Sequence, residues 1–83
     1  MLSKPEPSYT EKAREKGVVG TVVLRAIFAE DGHVRAIFPI RRLPHGLTTM
    51  SVRAARQIKF IPATKDGKPV SVWMQLEYNF NLY

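Results

Sequence analysis

From Val70 to Leu82 apolar and polar residues alternate without a break. Val70, Val72, Met74, Leu76, Tyr78, Phe80 and Leu82 hold one parity; Ser71, Trp73, Gln75, Glu77, Asn79 and Asn81 hold the other. Successive side chains of a strand point to opposite faces, so this run reads as a long strand with one buried face. Such a strand needs sheet neighbours along its sides and a layer over its apolar face. The rest of the chain must therefore supply both. Trp73 falls on the polar parity. It either covers its own sheet or forms part of an apolar contact patch for a partner.

Two further strands precede it. Gly20 to Ala29 places Val22, Leu24, Ala26 and Phe28 on one face and Thr21, Val23, Arg25 and Ile27 on the other. Val34 to Ile40 repeats the pattern, with Val34, Ala36, Phe38 and Ile40 on one face and Ile37 on the other. Glu30-Asp31-Gly32 lies between them. A two-residue turn at Asp31-Gly32 sets Phe28 opposite Arg35 and mixes the faces. A three-residue loop sets Phe28 opposite Val34 and keeps one face apolar, with Gly32 left-handed.

Helices fill the remaining stretches. Ser8 to Lys16 reads as a short helix, with Ser8 and Glu11 at capping-box spacing and Gly17 as its stop. Thr48 to Lys59 reads as the main helix, with Thr48 or Thr49 near its N-cap. Its stripe of Leu47, Ser51, Ala54, Ala55 and Ile58 is small enough for close approach to a sheet. Pro62 blocks any continuation and Asp66-Gly67 makes a turn. Residues 1–7, with Lys4-Pro5-Glu6-Pro7, read as the stiff end of a linker, and residues 8–83 as one domain.

The order helix, strand, strand, helix, strand predicts an α+β fold. The simplest arrangement is a three-stranded antiparallel sheet in the order 2-1-3 with two helices on one face. Pro39 belongs on an edge, and that order makes the second strand one. The expected core is Val22, Leu24, Phe28, Phe38, Leu47, Ile58, Met74, Leu76 and Tyr78.

No catalytic constellation is visible. The chain has no cysteine, His33 and His45 lack the spacing of a helical metal pair, and no glycine loop suits a phosphate. The expectation is no enzyme, no metal and no cofactor. Thirteen Lys and Arg against seven Asp and Glu give a net charge of +6. That surplus fits an acidic partner, or simply a solvated surface. With Phe28, Phe38, Tyr78 and Phe80 all assigned to the core face, exposed aromatics do not interleave with Arg41, Arg42, Arg53, Arg56 and Lys59 as nucleic-acid binding requires.

In order and spacing, several short pieces resemble the C-terminal domain of TonB-type energy transducers. They are Pro7-x-Tyr9, Ala13-Arg14, Gly20-Thr21-Val22, Asp31-Gly32-x-Val34, Gly46-Leu47, Ala54-Ala55, Lys59-Phe60-x-Pro62-Ala63 and Asp66-Gly67-x-Pro69-Val70. Thr10 stands where that family often has proline, Ser51 where alanine is common, and Pro39 is unusual. The resemblance implies a periplasmic domain of a protein anchored in the bacterial inner membrane by a helix outside this chain. It implies capture of a segment of an outer-membrane transporter and coupling to inner-membrane motor proteins through the N-terminal part. No nucleic acid and no direct membrane contact are implied for the domain itself.

The expected partner-binding surface is the free edge of the last strand: Val72, Trp73, Met74, Gln75, Leu76, Glu77, Tyr78, Asn79 and Phe80. An edge strand offers unpaired N–H and C=O groups to an extended peptide. A second copy of the domain competes for the same edge. A small basic nucleic-acid-binding domain and a cell-envelope adaptor without a transport role are the alternative functions.

Overall fold

The computed structural model describes residues 3–82. Its elements are α1 (Glu11–Glu15), β1 (Gly20–Phe28), β2 (Val34–Arg41), α2 (Leu47–Arg56), β3 (Ala63–Lys65), β4 (Lys68–Val70) and β5 (Val72–Phe80). The main sheet is antiparallel in the order β2-β1-β5. This is the expected 2-1-3 arrangement, with β5 as the third strand. β1 and β5 pair without interruption over nine residues, from Gly20 with Phe80 to Phe28 with Val72.

The β1–β2 turn has the expected geometry. Phe28 pairs with Val34, the Ala29 N–H donates to the His33 carbonyl, and Gly32 has φ 85°. Asp31 caps the turn by accepting from the His33 N–H, and it forms an ion pair with Arg35.

Beyond that turn β2 departs from simple alternation. The register shifts once between Ile27 and Arg25 and again between Leu24 and Val23. Each shift inserts an extra residue into β2, which is a β-bulge. Ala36, within the first bulge, has φ 51°. The first bulge reverses the facing of Phe38 and Pro39, and the second restores it by Arg41, which pairs with Val23. Phe38 was expected in the core, but it pairs with Arg25 and is 54% exposed. Ile40, also assigned to the apolar face, is exposed, while Ile37 packs against the core instead.

Both helices are shorter than the sequence suggested. α1 starts at Glu11 because Thr10, not Ser8, is the cap: its hydroxyl accepts from the Ala13 N–H at 3.1 Å and donates to the His45 carbonyl at 2.7 Å. α2 starts at Leu47 behind a left-handed Gly46. Thr48 is not its cap; that hydroxyl bonds both the N–H and the carbonyl of Leu43. The helix ends at Arg56, before Pro62 has any effect. Asp66 and Gly67, both at positive φ, close a small β3–β4 hairpin that the sequence had not revealed. That hairpin ends the alternating run at Ser71, so Val70 belongs to β4, and Asn81 and Leu82 lie outside the strands.

The core lies between one sheet face and α2. Val22, Leu24, Ala26 and Phe28 of β1 meet Leu76, Tyr78 and Phe80 of β5 and Leu47, Ala54, Ala55 and Ile58 of the helix region. Ser51 is fully buried and donates to the Leu47 carbonyl, so its hydroxyl is satisfied within the helix. Tyr9 closes one end, its ring set edge-on to Phe80 with centroids 5.3 Å apart. Met74, expected in the core, shares the core-side parity but is 41% exposed. No helix among the described residues is long and apolar enough to cross a membrane.

Candidate functional site: the free edge of β5

All nine residues proposed for the site lie on β5, and β1 is the only strand paired with it among the described residues. Leu76, Tyr78 and Phe80 are buried beneath it and fix it to the core. Gln75, Glu77 and Asn79 project from the opposite face with Trp73. The arrangement is a core-anchored strand whose second side has no strand partner among the described residues.

One contact shows which backbone groups point outward. The Lys4 ammonium donates to the Glu77 carbonyl over 3.4 Å, a long and weak bond. In an antiparallel ladder the N–H and C=O of one residue point to the same side and alternate along the strand. Glu77 facing Lys4 therefore turns the backbone groups of Trp73, Gln75 and Asn79 outward as well. Those of Val72, Met74, Leu76, Tyr78 and Phe80 bond β1. The same ammonium lies 4.8 Å from the Tyr78 ring centroid, a cation–π contact. Ser3 exchanges two backbone hydrogen bonds with Lys59, which holds this N-terminal strap in place. Sequence reading missed Lys4, because nothing local connects it to a residue 73 positions away.

Tyr78 carries the one strongly perturbed group near the edge. Burial pushes its hydroxyl up to about 12, and the negative charge of Glu6 adds to the shift. The hydroxyl is buried without a hydrogen-bond partner among the described residues.

Beside the first residues of β5 lies an apolar cleft of about 160 Å³, lined by Phe28, Phe60, Ile61, Ala63, Val72 and Met74. It has the chemistry of a socket for an aliphatic side chain, not of a reaction centre. A wider groove of about 630 Å³ runs past Ser3, His33, Arg56 and Lys59 and contains no carboxylate. His33 is exposed and His45 half-buried, and no cluster of metal-binding side chains occurs among the described residues.

The opposite edge contrasts in every respect. β2 carries two bulges and Pro39, which cannot donate to a ladder. It is unsuited to continuous pairing with an added strand. The feature that the sequence did not predict there is Phe38. Its ring stacks on Trp73 across the helix-free face of the sheet, centroids 6.1 Å apart. The signal that was available is the run Ala36-Ile37-Phe38-Pro39-Ile40, apolar at both parities and thus without a preferred face.

No curated protein matches the chain significantly. Among solved structures, the solution NMR structure of the Pseudomonas aeruginosa TonB CTD matches with a TM-score of 0.76 at 24% identity, covering 98% of this chain and 83% of that one. Residues 5–82 match the family described as the Gram-negative bacterial TonB protein C-terminal. The chain thus belongs to the TonB C-terminal domain family.

Proposed function

We propose that this domain captures an extended periplasmic segment of an outer-membrane transporter by strand addition on β5. Family membership supports a TonB-like, transport-associated and non-enzymatic role in the periplasm. The mechanism rests on one observation: β5 is a continuously paired, well-anchored edge whose outer backbone groups have no strand partner among the described residues. An incoming segment pairs with the outward groups of Trp73, Gln75, Glu77 and Asn79. Main-chain hydrogen bonds provide affinity, and alternate side chains provide specificity. Glu77 becomes fully available when the segment displaces Lys4.

In this reading residues 1–7 are the end of a linker leading to an inner-membrane anchor and its motor proteins. Energy from the ion gradient reaches the transporter as force through the captured strand. The same edge admits a second copy of the domain as the competing occupant.

The test is a titration of isotope-labelled chain with a transporter's periplasmic N-terminal segment, followed by backbone amide shifts. Shifts along Trp73–Asn79 are expected. Shifts confined to α2 or to β2, with β5 silent, overturn the proposal.

A further inference from the structure

We infer that the helix-free face of the sheet is a second binding surface, for an acidic polypeptide segment that carries an apolar side chain beside its carboxylates. This goes beyond capture at the β5 edge and does not depend on it.

The register lays out this face row by row. Arg41, Val23 and Glu77 form one row; Phe38, Arg25 and Gln75 the next; Arg35, Ile27 and Trp73 the third. Phe38 is 54% exposed and Trp73 49%. The Arg25 guanidinium lies over the Trp73 ring, 5.6 Å from its centroid. Three arginines thus share the face with one strand carboxylate, Glu77. The only ion pair among the described residues is Arg35 with Asp31, so Arg25 and Arg41 have no carboxylate within bonding reach.

The aromatic pair exists only because of a costly backbone feature. Simple alternation from Val34 would send Phe38 into the core. The bulge at Ala36 turns it out, and a non-glycine residue held at positive φ costs about 1–2 kcal/mol. Strain that exposes a large apolar side chain argues for use of that side chain.

The charge pattern selects the occupant. A guanidinium presents a planar fork of donors that matches a carboxylate, and flanking aromatics lower the local dielectric and strengthen that bond. An apolar side chain next to the carboxylate would cover the Phe38–Trp73 pair. A second copy of the same face would set arginines against arginines, which opposes association. Single-stranded nucleic acid needs free ring faces for base stacking. Here the two rings stack on each other and Arg25 lies over Trp73, which leaves fewer ring faces open to a base.

The experiment titrates labelled chain with a short capped peptide of alternating glutamate and leucine, every amide N-methylated. This probe cannot pair along β5, so its failure leaves strand capture untouched, and failure of strand capture leaves this result untouched. Expected are shifts at Arg25, Ile27 and Phe38 and at the Trp73 indole N–H, a change in fluorescence of the single tryptophan, and weakening at higher salt. Arg25→Gln should weaken binding about ten-fold or more, as should glutamine in place of glutamate in the probe. Arg25→Lys should fall between. Phe38→Ser is a second variant, at a half-exposed position outside the core, and should also weaken binding. The proposal is overturned if the probe leaves this face silent, if Arg25→Gln binds as well as wild type, if an oligothymidylate binds the face more tightly than the peptide, or if the same shifts appear on concentrating the protein alone.

Discussion

β2 and β5 flank the same central strand and carry similar apolar density, yet they behave differently. β5 holds nine consecutive pairs with β1. Its core-side residues Leu76, Tyr78 and Phe80 are each under 5% exposed. β2 slips register twice within eight residues and turns its largest side chain to solvent. The difference lies in what each parity contains. In β5 the two parities are chemically distinct, so a one-residue slip would bury Gln75 and Glu77 and expose Leu76 and Tyr78. In the middle of β2 both parities are apolar, and a slip costs little transfer free energy. Edge position alone therefore does not make a strand irregular; loss of a chemical distinction between its faces does.

The largest effect that tests this contrast is Leu76→Ala. A buried truncation of this kind should cost about 2–5 kcal/mol, a large share of the stability of so small a domain. Denaturant midpoints measure it, and coincidence with wild type would break the claim that β5 is the anchored strand.

Tyr78→Phe probes the same strand with the opposite sign. The buried hydroxyl has no partner among the described residues, so removing it should stabilise the fold by about 1–2 kcal/mol. It should also change the alkaline response. The hydroxyl is pushed up to about 12 when folded, against about 10 when unfolded. The folded state thus keeps its proton where the unfolded state loses it. Stability from this group is complete below about pH 10 and is lost as pH rises toward 12. Urea midpoints taken across that window should fall for wild type and fall less for Tyr78→Phe. Equal falls would show that another group controls the alkaline limb.

On β2 the effects are smaller. Ala36→Gly relieves the positive φ of the bulge and should stabilise by about 0.5–1 kcal/mol, the αL penalty less the entropy that glycine loses on folding. A destabilised variant would mean that the bulge is held by side-chain packing. Smallest of all, Phe38→Ala should shift stability by no more than about 0.5 kcal/mol, as for an exposed site. A loss comparable to that of Leu76→Ala would erase the distinction between the strands.

Much of the β5 edge was legible beforehand. Alternation through Val72–Phe80 identified the strand and its buried face, and Pro39 marked the other edge. Parity arithmetic at Glu30-Asp31-Gly32 gave the loop length, because a wrong length would have mixed both faces of two strands at once. The cap residues were not legible. Thr10 caps α1 locally but is also held by the remote His45 carbonyl, and Thr48 bonds Leu43 outside its helix, so spacing alone favoured Ser8 and placed Thr48 at a cap it does not form. Met74 obeys its parity, yet it lines the open cleft beside Phe60 and Ile61 and so remains part-exposed.

The sequence by itself determined the class of fold, the strand order and the anchored edge, since each follows from periodicity and proline chemistry that act locally. Only the tertiary structure decided where Lys4 and Phe38 lie. Lys4 reaches the Glu77 carbonyl through a strap fixed by Ser3 and Lys59, far apart along the chain. Phe38 meets Trp73 because a bulge at Ala36 reverses a strand whose own residues were indifferent to facing, so packing against β1 and α2 set the choice.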